Sequence, residues 1–118
     1  MKKYSHVIVV GIDGAGSFIK NADTPNFDRI FKNGAVTYRA LSSNPSASAE
    51  CWGSMLLGVG PEVHGLSNAV VTKQPYPVNS PFPTLFLRIR AAMPDAELGS
   101  YTEWDPITRG IVEQGIGV

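Results

Sequence analysis

The apolar residues of the chain group into stretches that predict alternating strands and helices. Residues 6–12, HVIVVGI, form a continuous apolar run rich in β-branched residues that stops at Asp13-Gly14, which is typical of a strand buried on both faces of a parallel sheet. Residues 35–41 alternate loosely between apolar and polar positions, which favours a second strand. The third predicted strand covers residues 96–101.

Helix signals lie between and after these stretches. Helices are predicted over residues 24–34, 48–57 and 83–94, with a further candidate at 107–114. Residues 70–83 contain four prolines in fourteen residues, so they predict a surface loop of the kind that often faces a substrate. The alternation of strand and helix predicts an α/β fold, with a mostly parallel sheet of at least three strands sandwiched by helices.

Composition narrows the classes of function. A chain of 118 residues, 43% hydrophobic, is long enough for one core. Its ten basic and ten acidic residues cancel, so no broad surface for a nucleic acid polymer is expected. No stretch approaches the roughly 20 apolar residues of a membrane span. The single cysteine, Cys51, excludes an intramolecular disulfide, and we expect a reducing, cytoplasmic setting.

Two polar residues are predicted to lie at one edge of the sheet. Asp13 follows the first strand and Ser48 follows the second, and ligands of α/β sheets bind beyond the carboxyl ends of the strands. Each residue also has a purely structural interpretation, Asp13 as a turn cap and Ser48 as a helix N-cap. His64 is either a ligand or base, or a hydrogen-bonded loop anchor.

Glycines near the first strand invite a dinucleotide-binding interpretation. Gly11, Gly14 and Gly16 occur in the order G-x-x-G-x-G, whereas the dinucleotide fingerprint is G-x-G-x-x-G with a helix directly after it. An NAD site is therefore disfavoured.

Four short motifs occur in an order that resembles a known family. They are Gly-Ile-Asp-Gly at residues 11–14, Thr-Pro-Asn-Phe-Asp-Arg-Ile at 24–30, Pro-Ser-Ala-Ser at 45–48 and Gly-Val-Gly-Pro-Glu-Val-His-Gly at 58–65. Over residues 6–68 the chain resembles the alkaline phosphatase superfamily, in particular its nucleotide pyrophosphatase and type I phosphodiesterase branch.

The resemblance implies a metal-dependent hydrolase of phosphodiester or nucleotide pyrophosphate bonds in small substrates. It implies that Asp13 binds one of two zinc ions, and that Ser48 coordinates the same ion and attacks phosphorus to give a phosphoserine. Asn68 would hold a phosphoryl oxygen. Phosphomonoester hydrolysis, or phosphotransfer of the metal-dependent phosphoglycerate mutase type, is the near alternative.

In the family, most metal ligands are supplied by a set of Asp and His residues. This sequence matches the ligands at Asp13 and Ser48 and has no counterparts of the others. We therefore expect residues 1–118 to be a single N-terminal portion of a larger alkaline phosphatase-like domain, which binds zinc weakly and turns over little. An alternative of another class is a non-catalytic fragment that associates with itself through exposed sheet edges.

Overall fold

The computed structural model describes residues 4–118, which divide into two compact units after Leu41. The first unit contains a short 3-10 helix, Phe18–Asn21, and helix α1, Pro25–Lys32. Thr24 is the N-cap of α1 and Pro25 its first residue; the fixed φ of proline suits that position, and its missing N–H has no helical partner to lose. The helix predicted over residues 24–34 is confirmed.

The second unit, residues 42–118, is helical and contains the buried core. Its helices are α2 Ser48–Leu57, α3 Pro61–His64, α4 Asn68–Val71, α5 Leu85–Ala92 and α6 Pro106–Gly110. Helix α2 packs against α3, α4 and α5, and α4 packs against α6. The buried cluster consists of Ala49, Leu57, Leu66, Val71, Tyr76, Ile107 and Ile111. No helix in the described part of the chain is long and apolar enough to cross a membrane.

Helix boundaries in this unit follow local signals. The helices predicted over residues 48–57 and 83–94 are confirmed as α2 and α5, and the candidate at 107–114 is the shorter α6. Gly58 ends α2 in the left-handed conformation, with φ 73°, which glycine adopts without the steric cost of a side chain. The short helices α3 and α4 were not predicted.

The predicted parallel sheet is absent from residues 4–118. The stretches 6–12, 35–41 and 96–101 contain neither helix nor strand, so the α/β assignment is wrong for the described part of the chain. Apolar, β-branched composition favours an extended backbone locally, but a strand exists only where a second segment supplies the ladder of hydrogen bonds. The apolar side chains of residues 7–10 are 74–83% exposed, so no covering layer buries them.

A buried carboxylate joins the C-terminal part of the second unit to the start of α5. Glu113 is 2% exposed, and Thr84, the N-cap of α5, is fully buried. The backbone N–H of Thr84 donates to Glu113 Oε1 over 2.8 Å, and the Thr84 hydroxyl donates to the other carboxylate oxygen. The positive end of the helix dipole favours a carboxylate at this position.

The opposite end of α5 is held by Arg90. Its guanidinium donates to the carbonyl oxygens of Ile116 over 2.9 Å and Gly117 over 2.8 Å, and also to those of Pro94 and Ala96. A cation near a helix C-terminus is favourable. Both ends of α5 therefore bind the last residues of the chain.

Replacing Glu113 with Ala is expected to lower the free energy of unfolding by about 1–3 kcal/mol, because the buried N–H and hydroxyl of Thr84 lose their acceptors. Urea unfolding followed by circular dichroism measures the change. Glu103, an exposed residue, supplies the control variant Glu103→Ala. Equal midpoints for the two variants would contradict the role given to Glu113.

Candidate functional site

Ser48 is the first residue of helix α2 and is half-buried. The N-cap position belongs to Ala47, whose carbonyl accepts the Cys51 N–H over 2.9 Å. Ser48 is therefore not the N-cap serine of the structural interpretation. It lies in the first turn, where backbone N–H groups lack helical partners and the dipole is positive.

Asn68 is bound next to Ser48 at the start of α2. Its side-chain oxygen Oδ1 accepts the backbone N–H of Ala49 over 2.9 Å, although the two residues are nineteen positions apart. Ala49 is fully buried, so its N–H depends on an acceptor from the protein. Because the carbonyl end of the carboxamide faces Ala49, Nδ2, which carries two N–H donors, lies at the other end of the group.

His64 is hydrogen-bonded through both ring nitrogens. Nδ1 accepts the N–H of Leu66 over 3.0 Å, and Nε2 lies 3.2 Å from the hydroxyl oxygen of Ser54. The Ser54 hydroxyl donates its proton to the carbonyl of Glu50 over 2.7 Å, so it accepts the N–H of Nε2. Nδ1 of His64 is thus an acceptor and Nε2 a donor, and the residue is the loop anchor, one of the two roles that the sequence left open.

Asp13, the predicted metal ligand, lies in the first unit, in an exposed turn before Gly14. Zinc sites in proteins take about four N, S or O ligands. No group of three or more His, Cys, Asp or Glu side chains that could hold a metal ion occurs in the described part of the chain. The described residues therefore do not fit a complete metal centre.

Glu50, in the first turn of α2, was not singled out from the sequence. Its carboxylate oxygen Oε2 is buried and has no hydrogen-bond partner, and it is the one such side-chain atom among residues 4–118. Acidic residues in the first turn of a helix are common because they suit the helix dipole. The position of Glu50 in the sequence therefore gives no indication that its carboxylate is buried.

The proline-rich segment forms one wall of a cavity of about 380 Å³. The other wall includes residues 63–66, which form the end of α3 and the turn after it. Tyr76 is 6% exposed, and its hydroxyl donates to the carbonyl of Phe82 over 2.8 Å. The segment predicted as a surface loop is therefore anchored in the core at Tyr76.

Comparison with known proteins gives one family. A model of the type I phosphodiesterase / nucleotide pyrophosphatase family matches residues 7–82, more than half of the chain. This range includes Asp13, Ser48 and Asn68. No curated protein and no solved structure matches the chain.

Substitution of Asn68 by Ala is expected to destabilise the chain by about 1–3 kcal/mol, because the buried Ala49 N–H is left without an acceptor. Asn68→Asp keeps an acceptor oxygen and adds a negative charge at the helix N-terminus, so it should preserve stability. Urea unfolding distinguishes the two, with Asn79→Ala, at an exposed position, as control. An Asn68→Ala variant as stable as the Asn79→Ala variant would refute the capping role.

Proposed function

Because the chain belongs to the type I phosphodiesterase / nucleotide pyrophosphatase family, we propose that it serves in the hydrolysis of phosphodiester or nucleotide pyrophosphate bonds, with Ser48 as the nucleophile. The family is a class of hydrolases and is generally metal-dependent. The observation that carries the proposal is the hydrogen bond from the Ala49 N–H to Asn68. It holds a side-chain amide beside a serine at a helix N-terminus.

The proposed reaction has two steps. The Ser48 oxygen attacks phosphorus as its proton leaves to solvent, and the bond from phosphorus to the leaving-group oxygen breaks with its electron pair. The resulting phosphoserine is then hydrolysed by water, which restores the Ser48 hydroxyl. Asn68 Nδ2–H donates to a non-bridging phosphoryl oxygen, and the positive end of the α2 dipole favours the same negative charge.

The substrate we propose is a small phosphate ester or a nucleotide. Phosphomonoester hydrolysis and phosphotransfer of the phosphoglycerate mutase type remain the near alternatives, because Ser48 and Asn68 contact the phosphoryl group in each. Cys51 is a free thiol, which is consistent with the cytoplasmic setting that we propose.

For the metal, we propose two zinc ions, to which this chain contributes Asp13 and Ser48. Since the described residues do not complete that centre, residues 1–118 alone should bind zinc weakly and hydrolyse phosphate esters slowly or not at all. They would then form the N-terminal portion of the active domain.

Hydrolysis of bis(p-nitrophenyl) phosphate, with and without zinc, tests the assignment. Residues 1–118 alone are expected to stay near the uncatalysed rate. In a longer protein that contains this chain, Ser48→Ala should lower kcat by at least about a thousandfold, as loss of a nucleophile does, whereas Ser46→Ala, in the preceding loop, should not.

Two results would count against the proposal. A zinc-dependent rate in residues 1–118 that Ser48→Ala abolishes would contradict the proposal that these residues lack a complete metal centre, although it would support Ser48 as the nucleophile. Undiminished activity of the Ser48→Ala variant would remove Ser48 as the nucleophile.

A second candidate, of another class, is a non-catalytic chain that associates with itself. It is favoured by the exposed apolar side chains of residues 7–10, because contiguous apolar surface of this kind promotes association. Sedimentation velocity over a concentration series should show a larger species that Ile8→Lys shifts to monomer, while Val78→Lys, at an exposed position outside that run, leaves it unchanged. A monomer at every concentration would eliminate this candidate.

A further inference from the structure

We infer that His64 is a positioning residue for Asn68: its bond to Ser54 fixes the loop of residues 61–68, which begins with the short helix α3, along α2, so that the Asn68 side chain meets the N–H of Ala49. The inference rests on the proposed function at one point only, the donation of a hydrogen bond from Asn68 to a phosphoryl oxygen. The alignment of Asn68 is a structural statement that can be measured separately.

The His64 imidazole connects the loop to the helix. Its Nδ1 atom accepts the N–H of Leu66, which fixes the loop's own turn, and its Nε2 atom donates to Ser54 in the second turn of α2. The Ser54 hydroxyl also accepts from the hydroxyl of Ser43 over 2.9 Å, so its oxygen takes part in three hydrogen bonds. A hydroxyl with one donor proton and two acceptor lone pairs is then saturated.

The surface of α2 is shaped to receive the imidazole at Gly53. A Cβ atom at this buried position would lie 3.0 Å from His64 Cε1, 3.1 Å from His64 Nε2 and 3.1 Å from the side chain of Leu66. These separations are shorter than ordinary van der Waals contact. A side chain at residue 53 would force His64 and Leu66 to shift by a few tenths of an ångström, so glycine permits their close packing on the helix.

The two attachment points of the loop match in spacing. Ser54 and Ala49 are five residues apart on α2, about 7.5 Å along the helix axis. His64 and Asn68 are four residues apart, and Gly65 between them turns the chain with φ 66°. The loop therefore runs back along α2 from Ser54 to Ala49. Without the His64 bond, the alignment of Asn68 depends on the packing of Leu66 and on its own bond to Ala49.

Amide hydrogen exchange of Ala49, measured by NMR on residues 1–118, tests the inference with two matched variants. His64→Asn keeps an acceptor for the Leu66 N–H but is too short to reach Ser54, whereas His64→Gln keeps a donor that can reach it. In His64→Asn, Ala49 exchange should rise about five- to tenfold, the factor that corresponds to one lost hydrogen bond. The Ala49 amide should exchange more slowly in the His64→Gln variant than in the His64→Asn variant.

The internal reference is the amide of Leu87, which donates to the Thr84 hydroxyl at the start of α5. Its exchange should be unchanged, so that faster exchange at Ala49 reports local release and not a general loss of stability. Ser54→Ala removes the same bond from the helix side, and should accelerate Ala49 exchange alike. Combining it with His64→Asn should add nothing further.

Three results would overturn the inference. They are unchanged Ala49 exchange in both His64→Asn and Ser54→Ala, equal acceleration at Ala49 and Leu87, and additive effects in the double variant. The positive control is Asn68→Ala, which removes the acceptor of the Ala49 N–H and should therefore accelerate Ala49 exchange. None of these measurements involves a phosphate ester. If the proposed function is wrong, the exchange results still test the role of His64, and if the role of His64 is wrong, the hydrolysis assay still tests Ser48.

Discussion

The docking of residues 61–68 along helix α2 is the constraint on which the candidate site depends. It buries Leu66 against the helix and brings Asn68 to a backbone N–H that is closed to water. A buried N–H without an acceptor costs about 1–3 kcal/mol, so the burial of Ala49 and the presence of Asn68 require each other. The side chain that satisfies the helix terminus is also the one placed beside Ser48, so stability and site geometry share a single contact.

Features that depend on neighbouring residues could be predicted from the sequence, whereas contacts between residues far apart in the chain could not. Pro25, Thr84 and Gly58 act within one turn of their own helix, so the limits of α1, α5 and α2 follow from local chemistry. The bond between Asn68 and Ala49 crosses nineteen residues, and no local pattern specifies it. The choice between ligand and anchor for His64 likewise depended on Ser54, a residue whose own sequence context is unremarkable.

The error over the sheet has the same origin. Residues 6–12 have the composition of a buried strand. Composition alone does not form a strand, because a buried strand also needs a second backbone segment to pair with and a layer that covers its side chains. Neither is present for this run in the described structure, and its valines and isoleucines are exposed. Glu113 shows the converse case, because a lone acidic residue near the end of a chain gives no sign that it will be buried at the cap of α5.

Gly53 has a consequence for how α2 becomes ordered. Glycine in a helix interior is about 1 kcal/mol less favourable than alanine, and a helix of ten residues is marginal in isolation in any case. The same missing side chain lets His64 and Leu66 approach the helix. The segment that carries Ser48 is thus intrinsically a poor helix, and its folding is conditional on arrival of the following loop. Formation of the helix and assembly of the site should therefore be one cooperative event.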